Sequence, residues 1–157
     1  MERNTRQRQA VLEAIDHAGR ALTPNEILGL AQTSVASLNL STIYRHLNAL
    51  QDEQRIVKVL LPGQAAARFE AVCSGEHAAH GARGTARHGQ QHGLAHHHHH
   101  FHCNRCDRVY PLHACPGSMQ ELAPQGFLVE AHEITLTGVC AECRRVSSKA
   151  KARATAT

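Results

Sequence analysis

Apolar positions recur at helical spacing through roughly the first fifty residues and at strand spacing in several stretches after them. Thr5 is placed to cap a helix over residues 6–18, with Val11, Leu12, Ile15 and Ala18 on one face and Gly19 ending it. The second start is better marked. Thr23-Pro24-Asn25-Glu26 supplies a cap residue, a proline at the first helical position and a returning carboxylate, and Ile27, Leu28, Leu30 and Ala31 form the apolar face. Asn39-Leu40-Ser41 opens a third helix running to about residue 54. From Ile56 to Leu61 the period becomes that of a strand, Pro62-Gly63 turns the chain, and Ala67 to Val72 returns as its partner. Three helices followed by a hairpin is the order of a winged helix, whose last helix enters the DNA major groove.

At about 100° per residue, Ile43, Leu47 and Leu50 share one face of the third helix and must point to the core. Ser41, Tyr44, Arg45 and Asn48 gather opposite. Arg bridges guanine bidentately, Asn pairs with adenine, and Tyr offers a ring for thymine methyls and a hydroxyl for phosphate. The same face also fits an ordinary solvated helix surface. Further along, residues 101–103 and 109–112 read as short strands and residues 118–122 as a short helix closed by Pro124 and Gly126. The strongest strand pattern is residues 127–139, alternating Phe127, Val129, Ala131, Glu133, Thr135 and Thr137 against Leu128, His132, Ile134 and Leu136. A segment this small with so little core implies association with a second copy. The tail from Ser147, SSKAKARATAT, is small, polar and basic and is expected to be disordered.

Composition changes this picture in two places. At 157 residues the chain holds one ordinary domain or two small ones, so a structural metal has work to do. Its formal net charge of +4, with Arg3, Arg6, Arg8 and Arg20 near the start, permits an anionic partner. No apolar run reaches bilayer length and the start is charged, so the expectation is a cytoplasmic protein with reduced thiols and no membrane partner. Residues 73–95 are different material, rich in glycine, alanine and histidine with almost nothing to bury, and are expected to form a mobile loop. Nine of the fourteen histidines lie between His77 and His100, a density that traps zinc, nickel or copper. A purification tag or an expansion without selected role remains an alternative for this tract.

The cysteines carry the sharpest signal. Cys103/Cys106 and Cys140/Cys143 are two C-x-x-C pairs separated by 33 residues, the sequence form of a tetrahedral, all-sulfur Zn²⁺ clamp. One pair alone fits a redox site, and two disulfides or core thiols are the plainer alternative. The clamp has no open coordination position, and neither paired carboxylates nor a Ser/His/Asp arrangement is evident; an enzyme with a small-molecule substrate is disfavoured.

In this order the segments TRQRQAVLEAI, LTPNEIL, STIYRHLNAL, RFE, HHHHFHC and GFLVEAHEITLTGVCAEC resemble the ferric uptake regulator family, and within it most closely the zinc uptake branch. The resemblance implies an α+β fold: a winged-helix DNA-binding domain over residues 1–72, the loop over 73–95, and a small α/β dimerisation domain over 96–146 with the tail after it. It implies structural zinc on Cys103, Cys106, Cys140 and Cys143, and DNA contacts on Tyr44 and Arg45, beside Ser41, Thr42 and Asn48 of the same helix. Regulatory metal falls on Glu70, His98 and His100. Iron sensors of the family add a histidine at the start of the second helix, where this chain has Ala21. That departure favours Cys73 as a fourth ligand and Zn²⁺ as the regulatory metal, with Fe²⁺ or Mn²⁺ as alternatives. Cys73 also fits an inert thiol. A further metal site is implied at His97, His99 and His132, its acidic member unclear: Ser118 stands near the expected place, Glu121 is the nearest carboxylate, and His113 or Cys115 could substitute. His132 also fits a satisfied strand histidine. The expected function is a homodimeric, zinc-dependent repressor of metal uptake genes acting on a double-stranded operator. The alternatives are an iron- or peroxide-responsive regulator, or a zinc store in which the histidine tract is the function.

Overall fold

A computed structural model describes residues 2–72 and 99–154 of the chain. Three helices come first: α1 (Glu2–Asp16), α2 (Pro24–Ala31) and α3 (Leu40–Asp52). The hairpin β1 (Ile56–Val59) and β2 (Arg68–Ala71) follows, antiparallel, with Val57 opposite Glu70 and Val59 opposite Arg68. Then come β3 (His99–Cys103), β4 (Val109–Leu112), a single 3-10 turn (Gln120–Leu122), β5 (Thr135–Gly138) and α4 (Ala141–Ala154). In the second sheet β3 is central, antiparallel to β4 and parallel to β5.

Local chemistry explains these boundaries. Thr23 caps α2 in a capping box: its hydroxyl accepts from the Glu26 amide while the Glu26 carboxylate accepts from the Thr23 amide at 2.8 Å. Asn39 caps α3 by accepting from the Thr42 amide at 2.9 Å. Ile43, Leu47 and Leu50 of α3 are wholly buried against Val11, Ile15, Leu22, Ile27 and Phe69. Each contributes about 1.5–3 kcal/mol by leaving water, which holds the opposite face of α3 outward.

The strip between α1 and α2 joins the two parts of the fold. Leu22 and Phe69 exchange both backbone hydrogen bonds, at 2.9 and 2.8 Å, and the Ala21 amide donates to the Val109 carbonyl of β4 at 2.9 Å. Ala21, Val59, Leu61 and Val109 close a second small core across this junction.

Three expectations are corrected. The first helix begins at Glu2, so Thr5 lies inside it and is not its N-cap; it ends at Asp16, before Gly19 turns the chain at φ +59°. Of residues 127–139 only Thr135–Gly138 forms a strand, because only that stretch finds a partner, β3, among the described residues. Phe127 and Leu128 remain 66% and 79% exposed. The described part of the tail is helical, not irregular: α4 runs through Ala154, carried by alanine, lysine and arginine of high helix propensity. His97, His98, Cys73 and the histidine-rich loop over 73–95 lie outside the described residues.

Candidate metal centres and nucleic-acid interface

β3 leads directly into the first cysteine pair and β5 into the second, so their parallel pairing brings the two together. Cys103 stands opposite Gly138, two residues before Cys140, and the Asn104 amide donates to the Gly138 carbonyl at 2.8 Å. The ligand atoms of Cys103, Cys106, Cys140 and Cys143 all lie within 4.8 Å of one another, with Cys106 Sγ and Cys140 Sγ 3.8 Å apart. A tetrahedral Zn²⁺ with bonds of ~2.3 Å needs sulfurs ~3.8 Å apart, so this donor set fits the ion. Backbone amides add to the fit: Cys140 N–H donates to Cys103 Sγ at 3.3 Å and Cys143 N–H to Cys140 Sγ at 3.5 Å. The Cys140 amide is the main reason the Cys103 thiol is drawn down to about 6. Cys143, hydrogen-bonded to Cys140, is pushed up to about 12. Four thiols this close cannot all ionise in one another's company, and a dication removes that conflict.

Glu70 and His100 meet across the junction. Glu70 Oε1 on β2 and His100 Nε2 on β3 are 3.2 Å apart, with side chains 5% and 12% exposed. Two donors on one cation at ~2.0–2.2 Å stand at about this separation, so the pair fits half of a metal shell. Ala21, completely buried in the strip before α2, offers no imidazole to it.

A second cluster forms at the other edge of β3. His99 is 2% exposed and its ring lies over that of His132, with centroids 4.9 Å apart. His132 Nε2 stands 3.2 Å from His99 Nε2 and 3.3 Å from Cys115 Sγ, and the three donors lie within 4.8 Å of one another. Cys115 thus occupies the place sequence reasoning left unclear, while Ser118 accepts from the Gln120 amide and Glu121 is exposed. His99 Nδ1 accepts from the Ile134 amide at 3.2 Å, which puts the ring proton on Nε2. Ligation through that nitrogen therefore requires the Ile134 bond to be released.

On α3, Ser41, Tyr44, Arg45 and Asn48 are exposed and Thr42 half-buried. The helix is pinned from behind. Arg8 of α1 holds Glu53 at its C-terminal end through two hydrogen bonds, one of 2.7 Å. His46, which the sequence reading did not single out, is 4% exposed on the inward side. Burial, followed by the charges of Arg45 and Arg8, pushes its pKa down and keeps it neutral. It falls on the core side with Ile43, Leu47 and Leu50, a spacing that was available in the sequence.

Among the described residues, no helix is long and apolar enough to cross a membrane. Residues 2–87, more than half of the chain, match the model of the ferric uptake regulator family. The peroxide operon regulator of Bacillus subtilis is 27% identical over 147 residues, covering 91% of this chain and 85% of its own. The ferric uptake regulation protein of Campylobacter jejuni is 22% identical over 152 residues, covering 94% and 83%. Among solved structures, the Helicobacter pylori ferric uptake regulator matches with a TM-score of 0.54 and 22% identity over 88% of this chain and 79% of its own. A zinc uptake regulator complexed with zinc and DNA matches with a TM-score of 0.54 and 20% identity over 90% and 83%. The chain belongs to the ferric uptake regulator family, whose members are metal-responsive DNA-binding transcription regulators and not enzymes.

Proposed function

We propose that this chain is a zinc-responsive repressor, acting in the cytoplasm as a homodimer on a double-stranded operator. The observation that carries the reading is the 3.2 Å approach of Glu70 to His100, which ties the wing to the sheet of the second half. Cys73, two residues beyond β2, and His98, two residues before His100, complete the proposed ligand set from outside the described residues. Ala21 in place of an imidazole leaves a set of thiolate, two imidazoles and a carboxylate, which favours tetrahedral Zn²⁺ over the octahedral N/O shell of iron or manganese.

A bound cation would supply the positive charge that lets Glu70 and the histidines close on one point. Glu70 sits on β2, whose Phe69 packs in the same core as Ile43, Leu47 and Leu50 of α3, so closing β2 onto β3 orients α3. Arg45, Asn48, Tyr44, Ser41 and Thr42 then face the groove in both copies at fixed spacing. The Cys103/Cys106/Cys140/Cys143 clamp holds structural zinc and stays filled throughout. His99, His132 and Cys115 form the proposed additional site, for which His97, two residues before His99 and outside the described residues, is a further candidate ligand; the sulfur donor also favours zinc over iron.

A second reading, an iron- or peroxide-responsive regulator, draws support from the Bacillus subtilis relative. Operator binding measured by fluorescence anisotropy with Zn²⁺, Mn²⁺ and anaerobic Fe²⁺ separates the two. Activation by Zn²⁺ at the lowest free concentration supports the proposal, and activation by Fe²⁺ or Mn²⁺ alone refutes it.

A further inference from the structure

β2 carries two inward polar side chains, and the proposed switch uses only one. Arg68 and Glu70 are two residues apart on a strand, so they share a face. Arg68 is 1% exposed, the largest fully buried side chain among the described residues. Its Nη2 donates to Asp107 Oδ2 at 2.5 Å and to the Asp107 carbonyl at 3.1 Å, and its Nη1 donates to Gln64 Oε1 at 2.7 Å. The other carboxylate oxygen of Asp107 lies 2.7 Å from His102 Nε2, which is 3.2 Å from Gln64 Nε2. Two of these groups belong to the wing and two to the turn around the first cysteine pair.

Asp107 holds φ at +59°, a left-handed conformation that glycine adopts more readily. Aspartate is among the few non-glycine residues that adopt this conformation readily, so the turn accommodates the carboxylate that meets Arg68. The Asp107 side chain is 67% exposed, but the Arg68 side chain it meets is 2% exposed, and a guanidinium buried to this degree is left uncompensated if its partner is removed.

We propose that Arg68, Gln64, Asp107 and His102 form a metal-independent latch that docks the wing on the cysteine turn and sets how much metal the Glu70–His100 site needs. The docking rests on the geometry alone; its effect on metal demand rests on the switch proposed above. With the latch closed, Glu70 already stands beside His100, so the metal meets a larger fraction of competent molecules, and apparent affinity rises in proportion. Arg68 and Asp107 are positioning residues, acting through the placement of Glu70 beside His100.

The test uses the full dimeric chain with its cysteine clamp loaded and no further metal. The Ala21 amide, which donates to Val109 across the junction, reports docking by hydrogen exchange. Asp107→Gly suits the backbone and deletes the carboxylate; Arg68→Lys cuts the latch from the wing side, away from the cysteines. Both should speed Ala21 exchange about tenfold while the Leu47 amide inside α3 is unmoved, and raise the zinc midpoint for operator binding about fivefold or more. Asp107→Asn, which keeps an acceptor and tolerates positive φ, should restore part of each effect. Unchanged Ala21 exchange in both cutting variants overturns the latch. If Asp107→Gly sheds clamp zinc, Arg68→Lys decides alone. Wild-type operator binding that ignores zinc would remove the switch, while Ala21 exchange still judges the docking.

Discussion

Removing the clamp zinc, by Cys140→Ser or by chelation, should unfold the second half of the chain and leave the first half standing. The first half has thirteen residues in its core cluster, among them Val11, Ile15, Ile27, Leu47 and Phe69. Among the described residues from 99 on, the buried apolar side chains are Cys103, Val109 and Cys140, and two of these belong to the four-cysteine cluster suited to zinc. Val109 alone contributes about 1.5–3 kcal/mol. A structural Zn²⁺ on four cysteines is worth about 10–16 kcal/mol of folding free energy, so the ion dominates by several-fold. Hydrogen exchange with mass or NMR detection reads the outcome directly. The Asn104 amide, bonded to Gly138 where β5 joins β3, should lose protection by several orders of magnitude, while Leu47 and Ile43 keep theirs. Protection of Asn104 that survives complete zinc removal, verified by metal analysis, would show that packing and not the ion holds this sheet.

Arg45→Ala should weaken specific operator binding by about 1–3 kcal/mol while metal content is unchanged; equal affinity in anisotropy titrations removes Arg45 from the readout. Thr23→Ala, which breaks the capping box of α2, should cost about 1 kcal/mol in urea unfolding. Glu26 gives that cap a pH dependence. Burial pushes its carboxyl up, but Arg20 and then the Thr23 amide and hydroxyl outweigh burial and hold it below its ordinary value of 4.5. Its contribution is therefore complete above about pH 4.5 and is lost as pH falls through the lower folded value. Stability of Glu26→Gln should accordingly fall less steeply than wild type on acidification below that point, and parallel curves would contradict the assignment. Cys115→Ala should lower the zinc content of the loaded chain by about one ion per protomer and spare the clamp, as counted by metal analysis with a competing chelator; an unchanged count rejects Cys115 as a ligand.

The winged helix was legible because each of its elements is signalled locally. Thr23-Pro24-Asn25-Glu26 marks one start, Asn39 another, and Pro62-Gly63 the hairpin turn, all reproduced in the fold. The cysteine clamp was legible from spacing alone. Less was visible wherever the deciding contact is distant in sequence. Residues 127–134 alternate like a strand but have no strand partner among the described residues, and periodicity says nothing about partners. Cys115 reaches His132 through chain folding that no pattern encodes, and Arg68 reaches Asp107 across 39 positions. The tail's polar composition points to disorder, while its alanines and basic residues are good helix formers, and the helix wins through Ala154.

The switch is tested most directly by one ratio: the operator affinity of the wild-type dimer with only its cysteine clamps filled, against the same protein after zinc is added to saturation. A metal that joins Glu70 to His100 and orients α3 should raise that affinity about 5–150-fold, the range of a 1–3 kcal/mol coupling, and Glu70→Gln should hold the ratio near one. Equal affinity in the two wild-type states would contradict control of DNA binding at this junction.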